Sequence, residues 1–178
     1  MAARADARIV PGVPDNVSFV NYVVVPLTVR DLTRKDLPSC GWWGSPRMLT
    51  QVAGALGRAD VEYLAACPPS GFPVAIGRID YARSPGAGTL EQLAVHGALQ
   101  SCGIGTILIQ AAEQRMRARG LRRAELAVEE SNPRARALYE RLGYASYGQE
   151  PASWDEEGLD GKVFRYETVC TLMRKALP

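Results

Sequence analysis

LAVHGALQSCGIGT, residues 93–106, is the stretch of this chain that decides its fold. A strand is predicted to end near Val95, and a helix is predicted to begin at about Gly103. The backbone N–H groups that open a helix have no partner inside it, and the helix dipole adds positive potential there. Glycines at this point let a ligand approach the backbone closely. The stretch therefore predicts a phosphate or pyrophosphate site, with a plain tight turn before a helix as the alternative.

Two common phosphate-binding motifs do not fit this stretch. A P-loop needs Gly-Lys-Ser/Thr, but Gly105 is followed directly by Thr106 with no lysine. A dinucleotide-binding fingerprint needs a third small residue where Leu108 stands. The sequence therefore favours a different class of phosphate ligand.

Downstream of this stretch, helical and strand patterns alternate. The apolar residues after Gly103 recur at helical spacing, and Gly120 ends that helix. Asn132 is a good N-cap with Pro133 at the first helical position, and Gly143 lies just past the end of this second helix. The other predicted segments are a strand at 124–128, a short strand at 144–148, an acidic loop at 149–161 and a last strand at 163–173.

Upstream of it, strands dominate. Three of them, at 61–67, 73–81 and 89–95, are separated by strong turn signals and are close enough to form an antiparallel meander. The other predicted segments are a flexible arm at 1–20, a strand at 22–29, a short helix or turn at 31–37, a loop at 41–46 and a helix at 47–56. The order predicts a single domain at 21–178 of the α/β (α+β) class, in which helices lie on a mixed sheet.

Composition excludes several classes of protein. The chain has 178 residues, 47% hydrophobic content and a net charge of +2, which suit one globular domain without a generally basic surface. No apolar run approaches the roughly 18 residues that span a bilayer, and residues 1–8 lead into no signal-peptide core. We therefore expect neither a membrane nor nucleic acid as a partner.

The cysteines indicate a reducing compartment. They are widely spaced, form no C-x-x-C pair and are accompanied by a single histidine, His96, so a metal site is not expected. Without a secretory signal they are expected to be free thiols in the cytoplasm. The four are Cys40, Cys67, Cys102 and Cys170.

Two motifs together identify a family. Residues 100–105, QSCGIG, resemble the Q/R-x-x-G-x-G/A signature of the GNAT superfamily of N-acetyltransferases. Residues 132–144, NPRARALYERLGY, resemble that family's N-x-x-A-x-x-L-Y-x-x-x-G-F/Y motif. One helix and one strand fit between them, as the family requires, and the clear match covers about residues 89–148. The resemblance implies a mixed sheet of about six to seven strands flanked by about four helices.

The resemblance also implies acetyl-coenzyme A as co-substrate, with no metal. The cofactor would lie in a cleft between the fourth and fifth strands, with its pyrophosphate on the backbone of residues 101–106. Gly97 stands where many members have proline, a departure that should cost little because the loop needs only to leave the strand. The predicted cofactor-binding residues are Leu93, Ala94, Val95, Gln100, Ser101, Cys102, Gly103, Ile104, Gly105, Thr106, Asn132, Ala135 and Tyr139.

For the chemistry, the resemblance implies backbone donors near Val95 for the acetyl carbonyl and Tyr139 as the general acid. The glutamate that some members place twelve residues before this tyrosine is replaced by Ala127. Glu129, two residues further along the same strand face, and Glu91 on the fourth strand are the candidate bases. For each carboxylate an ion-paired or solvated role is the alternative, and a water chain without a dedicated base also remains open.

The acceptor is predicted to be a small cationic amine. Trp42 and Trp43 supply aromatic faces, and an acidic loop with Asp155, Glu156 and Glu157 supplies negative charge. In the family the acceptor approaches from the side of the first helices and of the loop before the last strand. The alternatives are tryptophans that pack in the core and an acidic hairpin tip that is merely solvated; Asp160 belongs to the same loop.

The predicted function is the transfer of an acetyl group to a primary amine, by direct attack in a ternary complex. The alternatives are a coenzyme-A-binding module without activity, and acetylation of a protein or peptide amine. An arginine-rich interaction protein is a further class, because five arginines lie at 115–123. A solvated helix end, or a contact with the 3′-phosphate of coenzyme A, would also explain these arginines. Whether the chain forms a homodimer stays open.

Overall fold

The computed structural model describes residues 24–158 and 161–178. One seven-stranded sheet runs in the order β1-β2-β3-β4-β5-β7-β6. Its strands are β1 (Thr28–Asp31), β2 (Val61–Cys67), β3 (Ala75–Asp80), β4 (Gly88–Val95), β5 (Arg123–Glu129), β6 (Ala145–Glu157) and β7 (Val163–Ala176). The α-helices of the described residues are α1 (Pro46–Ala55), α2 (Ile104–Ala118) and α3 (Pro133–Arg141), and the 3-10 helices are Leu37–Ser39 and Gly97–Leu99.

The predicted fold class is confirmed. Strands β1 to β4 form an antiparallel meander, and β4 pairs with β5 in parallel, so the sheet is mixed. The described residues hold three α-helices where the resemblance implied about four. Of the short helix or turn predicted at 31–37, the structure has a turn, because the Asp36 carboxylate accepts hydrogen bonds from the N–H and hydroxyl of Thr33 and fixes a local loop.

The first strand begins later than predicted. Residues 24–27 are unpaired, and β1 runs from Thr28 to Asp31, whereas the sequence predicted a strand at 22–29. Pro26 offers no N–H to a ladder, which accounts for the delayed start. The predicted flexible arm at 1–20 lies outside the described residues.

The predicted acidic loop at 149–161 is wrong, whereas the strand predicted at 144–148 is present but ends nine residues later than predicted. Strand β6 continues to Glu157 and pairs with β7 along its length, for example Asp155 with Arg165. Pairing with β7, which is distant in sequence, outweighs the poor strand propensity of acidic residues. The acidic side chains of residues 155–157 therefore lie on a long hairpin ribbon.

Two clusters of apolar side chains cover the two faces of the sheet. Helices α2 and α3 pack on one face, where Leu90, Leu126 and Val128 point toward them. On the other face α1 packs against residues of β2 and β3, with Val52 at the centre. Among the described residues, α1 is the α-helix that packs on this second face. It covers β2 and β3, so the side chains that β4, β5 and β7 present on this face lie beyond the edge of α1.

Candidate functional site

A gap opens between β4 and β5. The two strands pair only from Gly88 with Ala124 to Leu90 with Leu126, although β4 continues to Val95 alongside β3. Strand β5 likewise continues alongside β7. The carboxyl-terminal halves of two parallel neighbours therefore part, and such crevices are where open α/β sheets bind ligands.

A β-bulge in β4 produces this gap. Its register with β3 shifts after Glu91, and Gln92 adopts a left-handed conformation with φ of 51°. The Tyr63 hydroxyl donates a hydrogen bond to Gln92 Oε1 over 3.3 Å. The sequence analysis missed this feature, although the spacing of Leu90 and Leu93 already breaks the two-residue period of a strand.

The loop after β4 and the start of α2 present unpaired backbone donors. Ser101 and Gly103 have φ of 66° and 81°, and Gly103 is an N-cap without a side chain. The first hydrogen bond of α2 runs from Ile107 N to Gly103 O. Within the described parts of the chain, the N–H groups of residues 101–106 donate to no acceptor. They fit an anionic group such as a pyrophosphate, as the sequence predicted.

The two glycines of the motif serve different purposes. A Cβ on Gly103 would meet nothing within 4 Å, so this glycine is required by its left-handed backbone and leaves the space before α2 open. A Cβ on Gly105 would lie 3.3 Å from Leu138 Cδ2 and 3.7 Å from Val95 Cγ2. Gly105 therefore allows α2 to approach both β4 and α3.

Arg134, in the first turn of α3, connects the two sequence motifs. Its guanidinium donates to Gln100 Oε1 over 3.2 Å and also to the Ser101 hydroxyl. Gln100 in turn donates to the carbonyl of Val95. The arginine therefore stabilises the loop and adds positive charge beside the α2 N-terminus. It lies in the second motif, but the sequence analysis assigned it no role.

Helix α3, which packs against β5, places Tyr139 in the larger apolar cluster. Asn132 caps the helix by accepting a hydrogen bond from Ala135 N over 3.0 Å, as predicted. Tyr139 is only 8% exposed and packs edge-on against Tyr144, with ring centroids 6.0 Å apart. Burial raises the pKa of Tyr139 to about 12, so its hydroxyl is protonated at neutral pH.

The two candidate bases have different surroundings. Because Leu90 and Leu126 point toward α2, the alternation of a strand directs Glu91 and Glu129 to the opposite face. Glu91 accepts hydrogen bonds over 2.6 Å from both Arg78 and Arg83, one on each carboxylate oxygen. Glu129 has no cationic partner among the described residues.

The predicted tryptophans are half-buried and pack against the cluster beneath α1. Trp42 meets the ring of His96 edge-on, with centroids 5.3 Å apart, and Trp43 meets Tyr63 at 6.3 Å. This packing fits the alternative in which they are structural residues. Their role in acceptor binding stays a prediction.

The structure brings the two predicted acceptor regions together. Arg47, at the start of α1, lies 3.8 Å from Asp155 on β6, and Arg165 lies 3.3 Å from the same carboxylate. Asp155 is therefore partly neutralised. Glu156 and Glu157 follow it on β6, and Asp160 lies outside the described residues.

Most of the arginine cluster forms ion pairs with nearby carboxylates. Arg119 also lies over the ring of Tyr81, 4.0 Å from its centroid. Such pairing is typical of a solvated helix end and leaves less free charge for nucleic acid. The pairs are Arg115 with Asp31 and Glu62, Arg117 with Glu113, Arg119 with Glu62, and Arg123 with Glu125.

Three further features bear on the classes of protein considered. In the part of the chain that the structure describes, all four cysteines are free, and no three histidine, cysteine or acidic side chains form a group suited to a metal ion. None of the helices there has the length and apolar character needed to cross a bilayer.

Comparison with known proteins identifies the fold. Residues 30–144, more than half of the chain, match the model of the acetyltransferase (GNAT) family. A ribosomal-protein-S18-alanine N-acetyltransferase from Escherichia coli has 21% identity and a TM-score of 0.67, over 85% of this chain and 94% of that one. No curated protein sequence matches the chain.

Two other solved structures are similar. A spermidine N-acetyltransferase from Vibrio cholerae, in complex with CoA and spermine, has 18% identity and a TM-score of 0.64, over 85% of this chain and 95% of that one. A GNAT acetyltransferase from Streptococcus pneumoniae has 20% identity and a TM-score of 0.63, over 85% and 99%. At these identities the likeness establishes a shared fold.

Proposed function

Because the chain belongs to the acetyltransferase (GNAT) family, we propose that it transfers an acetyl group from acetyl-coenzyme A to a primary amine of a small molecule, by direct attack in a ternary complex. The observation that carries this proposal is the row of unpaired N–H groups at residues 101–106, beside the gap between β4 and β5. An anion site next to an open sheet suits a long phosphorylated thioester.

We assign the phosphates of the cofactor to the backbone of residues 101–106, with Arg134 adding charge beside them. Bound there, acetyl-coenzyme A supplies an activated acetyl group as a thioester. The unpaired donors and the open space before Gly103 support this assignment. A structural relative from Vibrio cholerae contains CoA.

We assign the acetyl carbonyl to the backbone near Val95. His96 N donates to Val74 O on the β3 side of the chain. Since successive N–H groups of a strand point to opposite sides, the N–H of Val95 points toward the gap. A fixed N–H dipole in that position stabilises negative charge that develops on a carbonyl oxygen.

Tyr139 would act as the general acid. Its pKa of about 12 keeps the phenolic oxygen protonated until the reaction. The hydroxyl then holds a proton for the sulfur that leaves. Its place on the helix that begins with the second motif and packs against β5 supports the role.

Between the two candidate bases we favour Glu129. An amine with a pKa of about 10 arrives protonated at neutral pH, so a nearby group must take its proton. Glu91 already neutralises two guanidinium groups, whereas the partners of Glu129 among the described residues are hydroxyl groups. Its carboxylate is therefore the more available acceptor of a proton.

The charge on the face of the sheet opposite α2 and α3 favours one class of acceptor. Glu129 presents a carboxylate there that has no cationic partner among the described residues, which favours a cationic amine over an acidic one. Relatives of this fold are named for both kinds of acceptor: spermidine, a small amine, and the alanine of ribosomal protein S18. A protein or peptide amine is the second candidate.

A thiol-release assay tests the proposal. Purified protein is mixed with acetyl-coenzyme A and a panel of small primary amines and peptides, and products are identified by mass spectrometry. We expect thiol release above the acceptor-free rate with cationic small amines, and a product heavier by one acetyl group. Calorimetric binding of acetyl-coenzyme A without release for any acceptor would instead indicate a coenzyme-A-binding module.

A further inference from the structure

Two aromatic side chains that the sequence analysis did not single out lie beyond the end of β5. Trp154 on β6 and Tyr166 on β7 are paired across the hairpin, with ring centroids 4.9 Å apart. Trp154 remains 39% exposed. They lie on the same face as Glu129, because β5 pairs Glu129 with Cys170, four residues from Tyr166. An aromatic pair therefore stands beside the candidate base.

Tyr166 contacts that base directly. Its hydroxyl donates to Glu129 Oε2 over 2.9 Å, and Ser131 Oγ lies 3.4 Å from the same oxygen. This hydrogen bond is the main reason that the pKa of the Tyr166 phenol lies above its usual value, so the phenol stays a donor. Within the described residues Glu129 Oε1 accepts nothing. One oxygen is held in place and the other is left for a ligand.

Neighbouring carboxylates on this face are already neutralised. Glu91 binds Arg78 and Arg83, Glu150 binds Arg83 at 3.1 Å, and Glu125 binds Arg123 at 2.6 Å. No arginine or lysine of the described residues pairs with Glu129. Its negative charge is therefore available to a cation that comes from outside the chain.

We propose that Glu129, Tyr166 and Trp154 form the subsite that receives the ammonium group of the acceptor, with Tyr166 as the residue that positions Glu129. The inference rests on the proposed acetyl transfer and names the substrate class of the same site: a protonated aliphatic amine without a carboxylate at its far end. The carboxylate pairs with the ammonium group, and the two aromatic faces attract it further. Acceptor recognition would then depend on these residues of β5, β6 and β7, and not on the half-buried tryptophans near α1.

The gap between β4 and β5 explains why this position suits the acceptor. Helix α2 and the phosphate-binding loop pack on one face of the sheet, whereas Glu129 points to the other. A thioester that passes through the gap from the loop side reaches the face on which Glu129 lies. The two substrates then meet at the gap without competing for space.

A matched series of amines tests the subsite: n-butylamine, 1,4-diaminobutane and 4-aminobutanoate, which share a chain length and differ in charge at the far end. We expect the parent enzyme to use the first two and to discriminate against the third. Trp154→Ala should raise the KM for these amines about 3- to 30-fold, as the loss of a cation–π contact does. The KM for acetyl-coenzyme A should not change. Tyr147→Ala, an exposed aromatic elsewhere on β6, is the matched control and should leave both constants unchanged.

Tyr166 is tested by separating its ring from its hydroxyl. Tyr166→Phe keeps the aromatic face, so kcat should fall about 10-fold while the KM for the amine changes little, as expected when a base loses its positioning hydrogen bond. Glu129→Gln should lower kcat further and raise that KM. If Tyr166 only fastened the hairpin to β5, Tyr166→Phe would lower the melting temperature and leave kcat unchanged, which would overturn the proposal.

A binding measurement keeps the subsite testable if no amine proves active. Titration of 1,4-diaminobutane into the protein with coenzyme A present should quench the fluorescence of Trp154, and Trp154→Phe identifies that signal. The quench should be absent with 4-aminobutanoate and much weaker in Glu129→Gln. Quenching without turnover contradicts the proposed function alone. If the enzyme is active and the KM for the amine is the same in the parent and in Trp154→Ala, Tyr166→Phe and Glu129→Gln, the subsite alone is contradicted. The absence of any quench also contradicts the subsite.

Discussion

Tyr139 and Glu129 occupy opposite kinds of surroundings, and this contrast supports the roles proposed for them. Tyr139 lies in an apolar cluster that raises its pKa to about 12, so it keeps its proton. Glu129 lies at a strand end with hydroxyl donors and no guanidinium partner among the described residues. An acid that holds its proton and a base free to accept one are the pair that acyl transfer to an amine needs.

Replacement of Tyr139 by phenylalanine should lower kcat by about 10²–10⁴-fold, because it removes a proton donor that acts in the transition state. Affinity for acetyl-coenzyme A, measured by calorimetry, should fall much less than kcat does. Tyr144→Phe is the matched control, since it removes a buried hydroxyl from the adjacent ring. A Tyr139→Phe variant with the parental kcat would mean that this tyrosine only packs.

The pKa of Tyr139 also predicts the alkaline side of the pH profile. The phenol loses its proton only near the pKa of about 12 to which burial raises it. We therefore expect that ionisation of Tyr139 causes no loss of kcat between pH 8 and about pH 10. An unperturbed tyrosine would begin to ionise within this range. A decline with a midpoint near pH 10 that disappears in Tyr139→Phe would contradict the assignment.

At the scale of elements, the start of α2 and the loop before it form the proposed cofactor site. Gly105 packs against Leu138, so a larger residue there would disturb the fold as well as the site. Gly103 faces open space in a left-handed conformation, which asparagine and aspartate tolerate better than other residues do. Position 103 is therefore the one at which charge can be changed with little change in packing.

Gly103→Asp should weaken the binding of acetyl-coenzyme A by at least about tenfold relative to Gly103→Asn. The two variants match in size and in the backbone conformations that they tolerate, and they differ by one negative charge facing the phosphates. A tenfold loss of affinity corresponds to roughly 1.4 kcal/mol of binding free energy. Calorimetric titration of both variants and the parent gives the comparison. Equal affinities in the two variants would remove the phosphates from this loop.

Local signals made some elements predictable and left others out of reach. The caps at Asn132 and Gly103 and the strand at 61–67 depend on neighbouring residues, so the sequence predicted them with nearly the observed bounds. Strand β6 depends on its partner β7, and its acidic residues misled a local interpretation. The candidate base Glu129 could be suggested from strand alternation, but its Tyr166 partner could not, because that contact joins residues 37 apart.

At the scale of the whole molecule, the two substrates are proposed to bind on opposite faces of the sheet. The phosphate-binding loop and α2 lie with the larger apolar cluster, while Glu129 and the aromatic pair lie on the other face. The gap between β4 and β5 is the passage between them. Both substrates can then be bound at once, which is the arrangement that direct transfer requires.

Initial rates of thiol release, with the concentrations of acetyl-coenzyme A and the acceptor amine both varied, test this claim most directly. Direct attack in a ternary complex predicts double-reciprocal lines that intersect, with release that depends on the acceptor. Parallel lines would mean that an acetylated enzyme forms first, with the exposed Cys102 in the loop as the first residue to examine. Parallel lines, or thiol release that ignores the acceptor, would contradict the account.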